Sequence, residues 1–364
     1  MSAGTGVMGR DLLLTTGVIK VTERSDGELS ELREGTVVRA VSNFYDIMPR
    51  GTVTIEPSGL VRCRTRDKLR KELVMTESKA RPQRVRQVKR LGVMEPVAIG
   101  DRVRFRVSPT SGTAMSQGVI EEVLPRQREL SRQGITTGSI AVEQVLVANL
   151  DQVVLVFAAA DPFPSPGLID RFLISCESRA LPAILCVNKV DLGIDEQLAH
   201  DLSVYERTGY AVLRVSAETG QGLAELGDVV QDKISAFVGP SGVGKSTLLN
   251  ALEPGLGLRV GEISAYSGKG THTTRYAQLV PLSRRGFLAD TPGLRALGLW
   301  AVDKDELDQF FPEFRPLLGR CRFGNCAHVD DAGCAVRAAV DRGQVDARRY
   351  ASYLKLFAET SEAS

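Results

Sequence analysis

A nine-residue stretch in the second half of the chain constrains the fold more than any other feature. It reads Gly239-Pro240-Ser241-Gly242-Val243-Gly244-Lys245-Ser246-Thr247 and matches the pattern G-x-x-x-x-G-K-[ST]. The apolar run 234–238 before it predicts a buried strand, and residues 248–252 after it predict a helix. In this context the backbone N–H groups of the loop are expected to face nucleotide phosphates. Lys245 would supply charge to the β- and γ-phosphate oxygens, and Ser246 would ligate Mg²⁺.

Residues 286–293 supply a second phosphate-facing element. An apolar strand is predicted to end at Asp290, and Thr291-Pro292-Gly293 follow. Asp290 is expected to hold a Mg²⁺-bound water, and Gly293 to offer its backbone N–H to the γ-phosphate. The segment 267–275, between the two elements, is rich in glycine and hydroxyl groups. Either Thr273 or Thr274 is expected to complete the Mg²⁺ shell there, and the sequence does not choose between them.

Two further motifs predict that the base is guanine. Asn188-Lys189-Val190-Asp191 follows a buried strand predicted at 182–187. A carboxylate at Asp191 accepts hydrogen bonds from N1–H and the exocyclic amine of guanine, which adenine does not offer. The stem of Lys189 lies along the base. Ser216-Ala217-Glu218 ends the next predicted strand and resembles the loop through which GTPases contact guanine O6. GTP and GDP are therefore the expected ligands.

The residue that activates water for hydrolysis is not evident from the motifs. Many small GTPases place a water-orienting glutamine directly after the glycine of D-x-x-G, and here that position is Leu294. Hydrolysis then needs another group or a partner. His272 is the best internal candidate, because it lies in the switch segment and titrates near neutral pH. A lone histidine in a loop is equally compatible with a solvated side chain.

The motifs occur in permuted order. Strands alternate with helices from residue 149 onward, which predicts a doubly wound parallel sheet. An ordinary GTPase runs from P-loop through switch and D-x-x-G to N-K-x-D and S-A-x, whereas here the last two come first. Along the chain, this order places the guanine-reading half next to the N-terminal region. It also leads the γ-phosphate loop, through residues 294–300, into the C-terminal region. We therefore expect that movement of the γ-phosphate loop is transmitted to a C-terminal domain.

The N-terminal region predicts a small β-barrel. Alternating runs at 36–40, 52–55, 60–64, 101–106 and 118–123 suit a five-stranded oligonucleotide-binding barrel, and other small barrels fit almost as well. Residues 61–106 carry fifteen Lys or Arg against five Asp or Glu, within a chain of net charge +2. This excess favours a polyanionic partner over a merely solvated face. Residues 68–90 are interpreted as a basic loop or short helix between strands.

A cysteine–histidine cluster lies near the C-terminus, with the spacing Cys321-x4-Cys326-x-His328-x5-Cys334. Three thiolates and one imidazole suit a closed tetrahedral Zn²⁺ site of structural type, although unligated loop cysteines are the alternative. Cys63, Cys176 and Cys186 are scattered and are interpreted as small core residues. No apolar run approaches the length of a membrane span, and no export signal is evident, so a cytoplasmic protein is expected.

Together these motifs resemble the ribosome small-subunit-dependent GTPase A family of circularly permuted bacterial assembly GTPases, over about residues 35 to 357. The resemblance implies an oligonucleotide-binding barrel (OB-fold), a permuted α/β P-loop GTPase domain and a C-terminal α-helical zinc-binding domain. The expected bounds are a flexible tail over 1–34, the barrel over 35–148, the GTPase domain over 149–299 and the zinc domain over 300–364. The resemblance also implies late maturation of the small ribosomal subunit through rRNA binding, with hydrolysis stimulated by that subunit. A monomer without membrane contact is expected.

Two features depart from the family pattern. Arg275 replaces the third threonine of the usual H-T-T-T switch, and the basic stretch 68–90 is longer than the usual strand connection. Two other functions remain compatible with the sequence. One is an RNA-associated scaffold that only senses nucleotide, which Leu294 favours. The other is a permuted GTPase acting on the large subunit, which the combination of barrel and zinc cluster disfavours.

Overall fold

The computed structural model describes residues 31–41, 43–52, 59–66, 92–93, 97–108, 116–133, 142–257, 277–290, 302 and 304–362. Several predictions fall outside these ranges and are not tested by the fold. They concern most of the tail, the basic stretch 68–90, the switch segment with His272, Thr273 and Thr274, and residues 291–300 with Gly293 and Leu294.

The described residues form fourteen strands, six α-helices and four short 3₁₀ segments. The strands are β1 (Arg33–Val41), β2 (Phe44–Pro49), β3 (Val61–Thr65), β4 (Gly92–Val93), β5 (Arg102–Val107), β6 (Ser116–Val123), β7 (Glu129–Gln133), β8 (Val142–Ala148), β9 (Gln152–Ala158), β10 (Ala183–Asn188), β11 (Ala211–Arg214), β12 (Ile234–Val238), β13 (Ala277–Leu282) and β14 (Gly286–Asp290). The α-helices are α1 (Pro166–Glu177), α2 (Glu196–Arg207), α3 (Leu223–Val230), α4 (Lys245–Leu252), α5 (Ala335–Asp341) and α6 (Ala347–Glu362). The 3₁₀ segments are Val190–Leu192, Pro254–Leu256, Lys304–Phe310 and Arg315–Leu317.

Five of these strands close into the predicted barrel. The order is β1-β2-β3-β6-β5, and β5 pairs back onto β1. β3 and β6 run parallel, while the other pairs are antiparallel. Alternating residues fill the interior, among them Val37, Ile47, Phe105 and Ile120. The five-stranded barrel is therefore confirmed, but one of its strands is β2 rather than the predicted run 52–55. Thr52 lies outside the strands, and residues 53–58 lie outside the described residues.

The predicted parallel sheet is present and extends the barrel. Its order is β11-β10-β9-β12-β14-β13, and all pairs are parallel except β13 with β14. Every residue of β9 is buried, as expected for a central strand covered by helices on both faces. β13 then pairs antiparallel with β1, so barrel and parallel sheet share one continuous sheet. β4, β8 and β7 form a separate three-stranded sheet.

The C-terminal unit, residues 304–362, is helical as predicted and packs around its own apolar core. Phe311, Phe314 and Tyr353 stack edge-to-face or face-to-face at 5.0 to 5.3 Å between ring centroids. Ile174 of α1 belongs to the same core, so the unit is docked on the parallel sheet domain. Among the described helices, none is both long enough and apolar enough to cross a lipid bilayer.

The spatial neighbours differ from the neighbours along the chain. The barrel joins the sheet through β13, beside the strand that carries Asp290. The C-terminal unit packs on α1 and α2, the helices that follow β9 and β10 in the guanine-reading half. The motif order suggested that the guanine-reading half adjoins the barrel and that the phosphate side adjoins the C-terminal unit. In the described structure these neighbours are exchanged. The reason is physical: β13 offers a strand edge to the barrel, while α1 and α2 offer a polar face to α6.

Candidate nucleotide site and metal centre

Those predicted nucleotide motifs that fall within the described residues lie at the carboxyl ends of parallel strands. From β9 the chain builds the sheet outward through β10 and β11, and then returns to the other side of β9 with β12. Ligands of open α/β sheets bind where the strand order reverses in this way. The P-loop follows β12, Asn188 ends β10, Ser216 comes two residues after β11, and Asp290 ends β14.

Close packing of the P-loop against Asn188 explains the last glycine of the motif. Gly244 has φ +85°, and a Cβ there would lie 2.6 Å from Nδ2 of Asn188. Lys245 and Ser246 begin α4 and are both buried. The Lys245 ammonium donates to the carbonyl oxygen of Gly239 at 2.8 Å, so it is held over the loop that would receive the phosphates.

Asn188 connects two of the motifs. Its side-chain Nδ2 donates to the carbonyl oxygen of Val243 at 2.9 Å, and its Oδ1 accepts from the backbone N–H of Ala217 at 3.2 Å. The side chain is 1% exposed. One buried amide therefore fixes the distance between the P-loop and the Ser216–Ala217 loop, because both of its ends are used.

Lys189 and Asp191 project from the turn after β10. Lys189 has φ +63°, and its ammonium donates to the carbonyl oxygen of Asp161, which lies in the loop after β9. Asp191 Oδ1 accepts from the Ser216 hydroxyl at 2.5 Å, and Ser216 Oγ accepts from the Thr219 N–H at 3.0 Å. Asp191 is exposed. Ser216 thus orients a carboxylate that faces solvent.

Asp290 lies at the end of β14, on the phosphate side of the site. The residue is exposed to solvent, yet the surrounding protein partly desolvates its carboxyl and so raises the pKa of this group. A hydrogen bond from Gln278 Nε2, 3.5 Å from Asp290 Oδ2, acts in the opposite direction. Gln278 lies opposite Arg39 of the barrel, so one strand, β13, lies between the barrel strand β1 and Asp290 of β14.

The four predicted metal ligands converge. Their donor atoms all lie within 4.8 Å of one another. His328 Nδ1 is 3.5 Å from Cys321 Sγ, 3.4 Å from Cys326 Sγ and 3.4 Å from Cys334 Sγ. These separations suit one tetrahedral ion with metal–sulfur bonds of about 2.3 Å and metal–nitrogen bonds of about 2.0 Å. The donor set therefore fits a metal ion with all four positions filled by protein.

Residues around the ligands complete the metal centre. Asp308 Oδ2 lies 3.2 Å from His328 Nε2 and raises the pKa of this imidazole to about 9, against the effect of its burial. The hydroxyls of Tyr350 and Tyr353 donate to the carbonyl oxygens of His328 and Ala327, both at 2.7 Å. These contacts hold the loop in which His328 adopts φ +61°.

The sequence did not single out three residues that touch the predicted site. Asp161 receives the Lys189 ammonium, Gln278 contacts Asp290, and Asp308 contacts His328. The separations are 28, 12 and 20 residues along the chain, and none of the three lies within a motif. Cys63, Cys176 and Cys186 are buried in apolar cores, as predicted.

Fold and site together define a P-loop nucleotide-binding protein whose GTPase sheet is circularly permuted. The family model described as RsgA GTPase matches residues 123–300. The chain is 46% identical over 260 residues to a "Small ribosomal subunit biogenesis GTPase RsgA" of Gemmatimonas aurantiaca, covering 71% of this chain and 83% of the relative. It is 38% identical to the protein of that name from Moorella thermoacetica, over 90% of this chain and 97% of the relative. The chain belongs to the RsgA family of GTPases, hydrolases that act on GTP.

Solved structures agree with this assignment. YjeQ from Thermotoga maritima superposes with a TM-score of 0.68 at 32% identity, covering 91% of this chain and 99% of that one. YloQ, described as a circularly permuted GTPase, gives a TM-score of 0.65 at 28% identity, covering 92% and 96%.

Proposed function

We propose that this protein hydrolyses GTP to GDP and phosphate while bound to the small ribosomal subunit, and acts in the late assembly of that subunit. The names of its relatives state small-subunit biogenesis. The observation that supports the proposal most is the Asn188 side chain, which joins the P-loop to the Ser216–Ala217 loop and so holds two of the predicted guanine-nucleotide motifs together.

Each motif residue has a proposed role in this pocket. The P-loop residues 239–247 bind the phosphates, Lys245 neutralises their charge, and Ser246 and Asp290 hold Mg²⁺ directly or through water. Asp191 accepts from the guanine edge, Lys189 lies along the base, and the backbone at Ser216 and Ala217 faces O6. Gly293 faces the γ-phosphate, and Thr273 or Thr274 completes the magnesium shell.

Water activation is assigned to His272 or to the ribosomal partner. Leu294 occupies the position of the usual glutamine and has no group that orients water. Within the switch sequence 267–275, His272 is the only histidine, the residue type best suited to transfer protons at physiological pH. The ribosomal subunit would either supply the missing group or fix the switch around His272.

We propose Zn²⁺ as the ion of the C-terminal cluster, because three thiolates and one imidazole are its preferred structural ligands. Cys321, Cys326, His328 and Cys334 would hold it, with Asp308 fixing the imidazole through Nε2. No position would remain open for catalysis. The ion would supply folding energy to a unit of residues 304–362 that has a small core of its own.

Partner contacts are assigned to the two flanking units. The barrel, proposed over residues 35–148, carries the basic excess and is assigned to rRNA. The proposed tail 1–34 precedes it, except that barrel strand β1 already begins at Arg33. The GTPase domain is proposed over 149–299 and the zinc domain over 300–364. The protein is proposed to be a cytoplasmic monomer.

A turnover assay tests the proposal. GTP hydrolysis is measured with wild-type protein alone, with isolated small subunits and with large subunits, and Lys245→Ala serves as the control that lacks phosphate binding. Small subunits should stimulate wild-type turnover at least tenfold, and large subunits should not. Bound but unstimulated protein would instead support the nucleotide-sensing scaffold that Leu294 favours.

A further inference from the structure

A buried ionic network fastens the C-terminal unit to the guanine-reading half of the GTPase domain. Arg349 of α6 and Asp170 of α1 are both 0% exposed, and Arg349 Nη1 donates to Asp170 Oδ1 at 2.6 Å. Arg349 also makes two hydrogen bonds to Glu313, at 2.6 and 3.2 Å. Removing these charged groups from water carries a desolvation cost that an apolar contact of the same size does not. The presence of a buried ion-pair network at this interface suggests that the two units are held in one fixed relative position.

Tyr205 of α2 extends this network to the start of α1. Its hydroxyl lies 2.8 Å from Asp170 Oδ1 and 3.2 Å from the carbonyl oxygen of Pro166, the first residue of α1. Arg348 Nη1 donates to the same hydroxyl at 3.1 Å, and its guanidinium lies 4.9 Å from the Tyr205 ring centroid. The C-terminal unit therefore contacts, through one tyrosine, the point where α1 begins.

The segment before α1 contacts residues of the proposed nucleotide site. This segment, residues 161–165, is called here the base-side loop. The carbonyl oxygen of Asp161 accepts from the Lys189 ammonium, and Pro162 Cδ lies 3.5 Å from the position of a Cβ on Gly242 of the P-loop. At its other end, Ser165 O accepts from the N–H groups of Leu168 and Ile169, each at 3.0 Å, and so anchors the loop to α1.

From these contacts we propose that the C-terminal unit positions the base-side loop through Arg349, Asp170 and Tyr205, and thereby sets the rate at which guanine nucleotide is released. The loop has five residues; it contacts Lys189 at one end and continues into α1 at the other. A shift of Pro166 would therefore move the Asp161 carbonyl that accepts from Lys189, the residue proposed to lie along the base. Asp170 and Tyr205 are positioning residues, since neither belongs to the nucleotide motifs. The inference rests on the proposed guanine-nucleotide site.

The test measures dissociation of a fluorescent GDP analogue from the full-length, zinc-loaded protein without ribosomes. Tyr205→Phe removes only the hydroxyl, and Asp170→Asn removes the charge. Each should accelerate release about five- to tenfold, the change expected for losing one hydrogen bond in a fixed geometry. The matched control is Arg315→Gln, because Arg315 Nη2 pairs with Glu177 Oε2 at 2.5 Å at the opposite end of α1. Its release rate should stay within about twofold of wild type.

A double-mutant cycle separates positioning from general loss of stability. In a Lys189→Met background, Tyr205→Phe should no longer change the release rate, because the ammonium that the loop holds is absent. Unchanged release in both Tyr205→Phe and Asp170→Asn would overturn the inference. So would a Tyr205→Phe effect that persists in full without Lys189. Failure of the wild-type protein to bind the GDP analogue would overturn the proposed nucleotide site itself, and the inference with it.

Discussion

At the scale of single residues, the site depends on groups that serve two partners at once. Asn188 holds the P-loop and the Ser216–Ala217 loop, and Ser216 holds both Asp191 and the Thr219 N–H. A motif read from sequence assigns each of these residues to one strand end. The structure adds that their side chains connect the strand ends, so a single substitution affects more than its own motif.

Asn188→Ala should weaken guanine-nucleotide binding at least tenfold. The substitution leaves a buried carbonyl at Val243 and an N–H at Ala217 without their partner, each at a cost of about 1–3 kcal/mol. Asn188→Asp retains the acceptor for Ala217 but sets a carboxylate oxygen against the Val243 carbonyl at a buried position, so it should weaken binding at least as much. Equilibrium titration with labelled GDP measures both variants, and equal affinities for wild type and Asn188→Ala would contradict this role.

In a pH profile of magnesium-dependent GTP turnover, activity should begin to fall on the acid side at a pH above the usual pKa of an aspartate. Desolvation raises the pKa of Asp290, so the folded protein binds this proton more readily than the unfolded chain. The protonated carboxyl favours the fold at low pH, and this contribution is lost as pH rises through the raised pKa. Magnesium needs the ionised form, which therefore disappears early on acidification. The measurement is a pH profile of kcat/KM for GTP.

Gln278→Ala sharpens this pH prediction. The Gln278 amide favours the ionised carboxyl, so its removal should shift the acid limb to still higher pH. Gln231→Ala is a suitable control, because that glutamine pairs with Asp232 on the exposed surface. An acid limb that coincides in all three proteins would show that Asp290 does not control the profile.

At the scale of elements, the sequence predicted those strands and helices that follow simple periodicity. β10 and β12 are largely apolar runs, and their bounds agree with the predicted 182–187 and 234–238 within about one residue. β2 was missed because Asp46 is buried and paired with Arg62 at 2.7 Å, which breaks the alternation. β13 was not predicted either, because its Pro281 argues against a strand in a central position of a sheet.

In the candidate sites, residues close together in sequence were predicted, whereas partners far apart in sequence were not. The four metal ligands lie within fourteen residues, and their spacing alone brought them together in the prediction. Asp308 comes from a 3₁₀ segment that no motif marks, and Asp170 meets Arg349 from 179 residues away. Contacts of this kind depend on how elements pack, which periodicity does not encode.

Asp308→Asn should lower the metal affinity of the C-terminal cluster about 10- to 100-fold, the usual cost of losing the carboxylate behind a ligating histidine. Competition with a chromophoric chelator measures the affinity. Glu306→Gln is the matched control, because Glu306 is exposed in the same 3₁₀ segment. Equal zinc affinities for the two variants would mean that Asp308 contributes nothing to the site.

At the scale of the whole molecule, charge is distributed unevenly along the sequence. The chain has a net charge of +2, yet residues 61–106 alone carry an excess of ten positive charges. Several of the barrel arginines are ion-paired, for example Arg104 with Glu34 and Glu122, each at 3.1 Å. The stretch 68–90 holds nine Lys or Arg against two acidic residues in sequence. Most of the attraction for a polyanion should therefore come from that stretch.

Replacing Arg81, Arg84 and Arg86 together with glutamine should weaken small-subunit binding and flatten its salt dependence. Each lost phosphate contact reduces the slope of log K against log salt by about 0.7 to 0.9, so three contacts account for about 2 to 3. Sedimentation with purified small subunits over a series of salt concentrations gives both affinity and slope.

The control for this charge argument uses three arginines that already have carboxylate partners within 3.5 Å, namely Arg50, Arg214 and Arg285. Their joint replacement by glutamine makes the same change in net charge, but it should leave the slope nearly unchanged, since none is available to displace counterions from RNA. If both triple variants flattened the slope equally, net charge alone would account for binding. The basic stretch would then have no specific role in contacting rRNA.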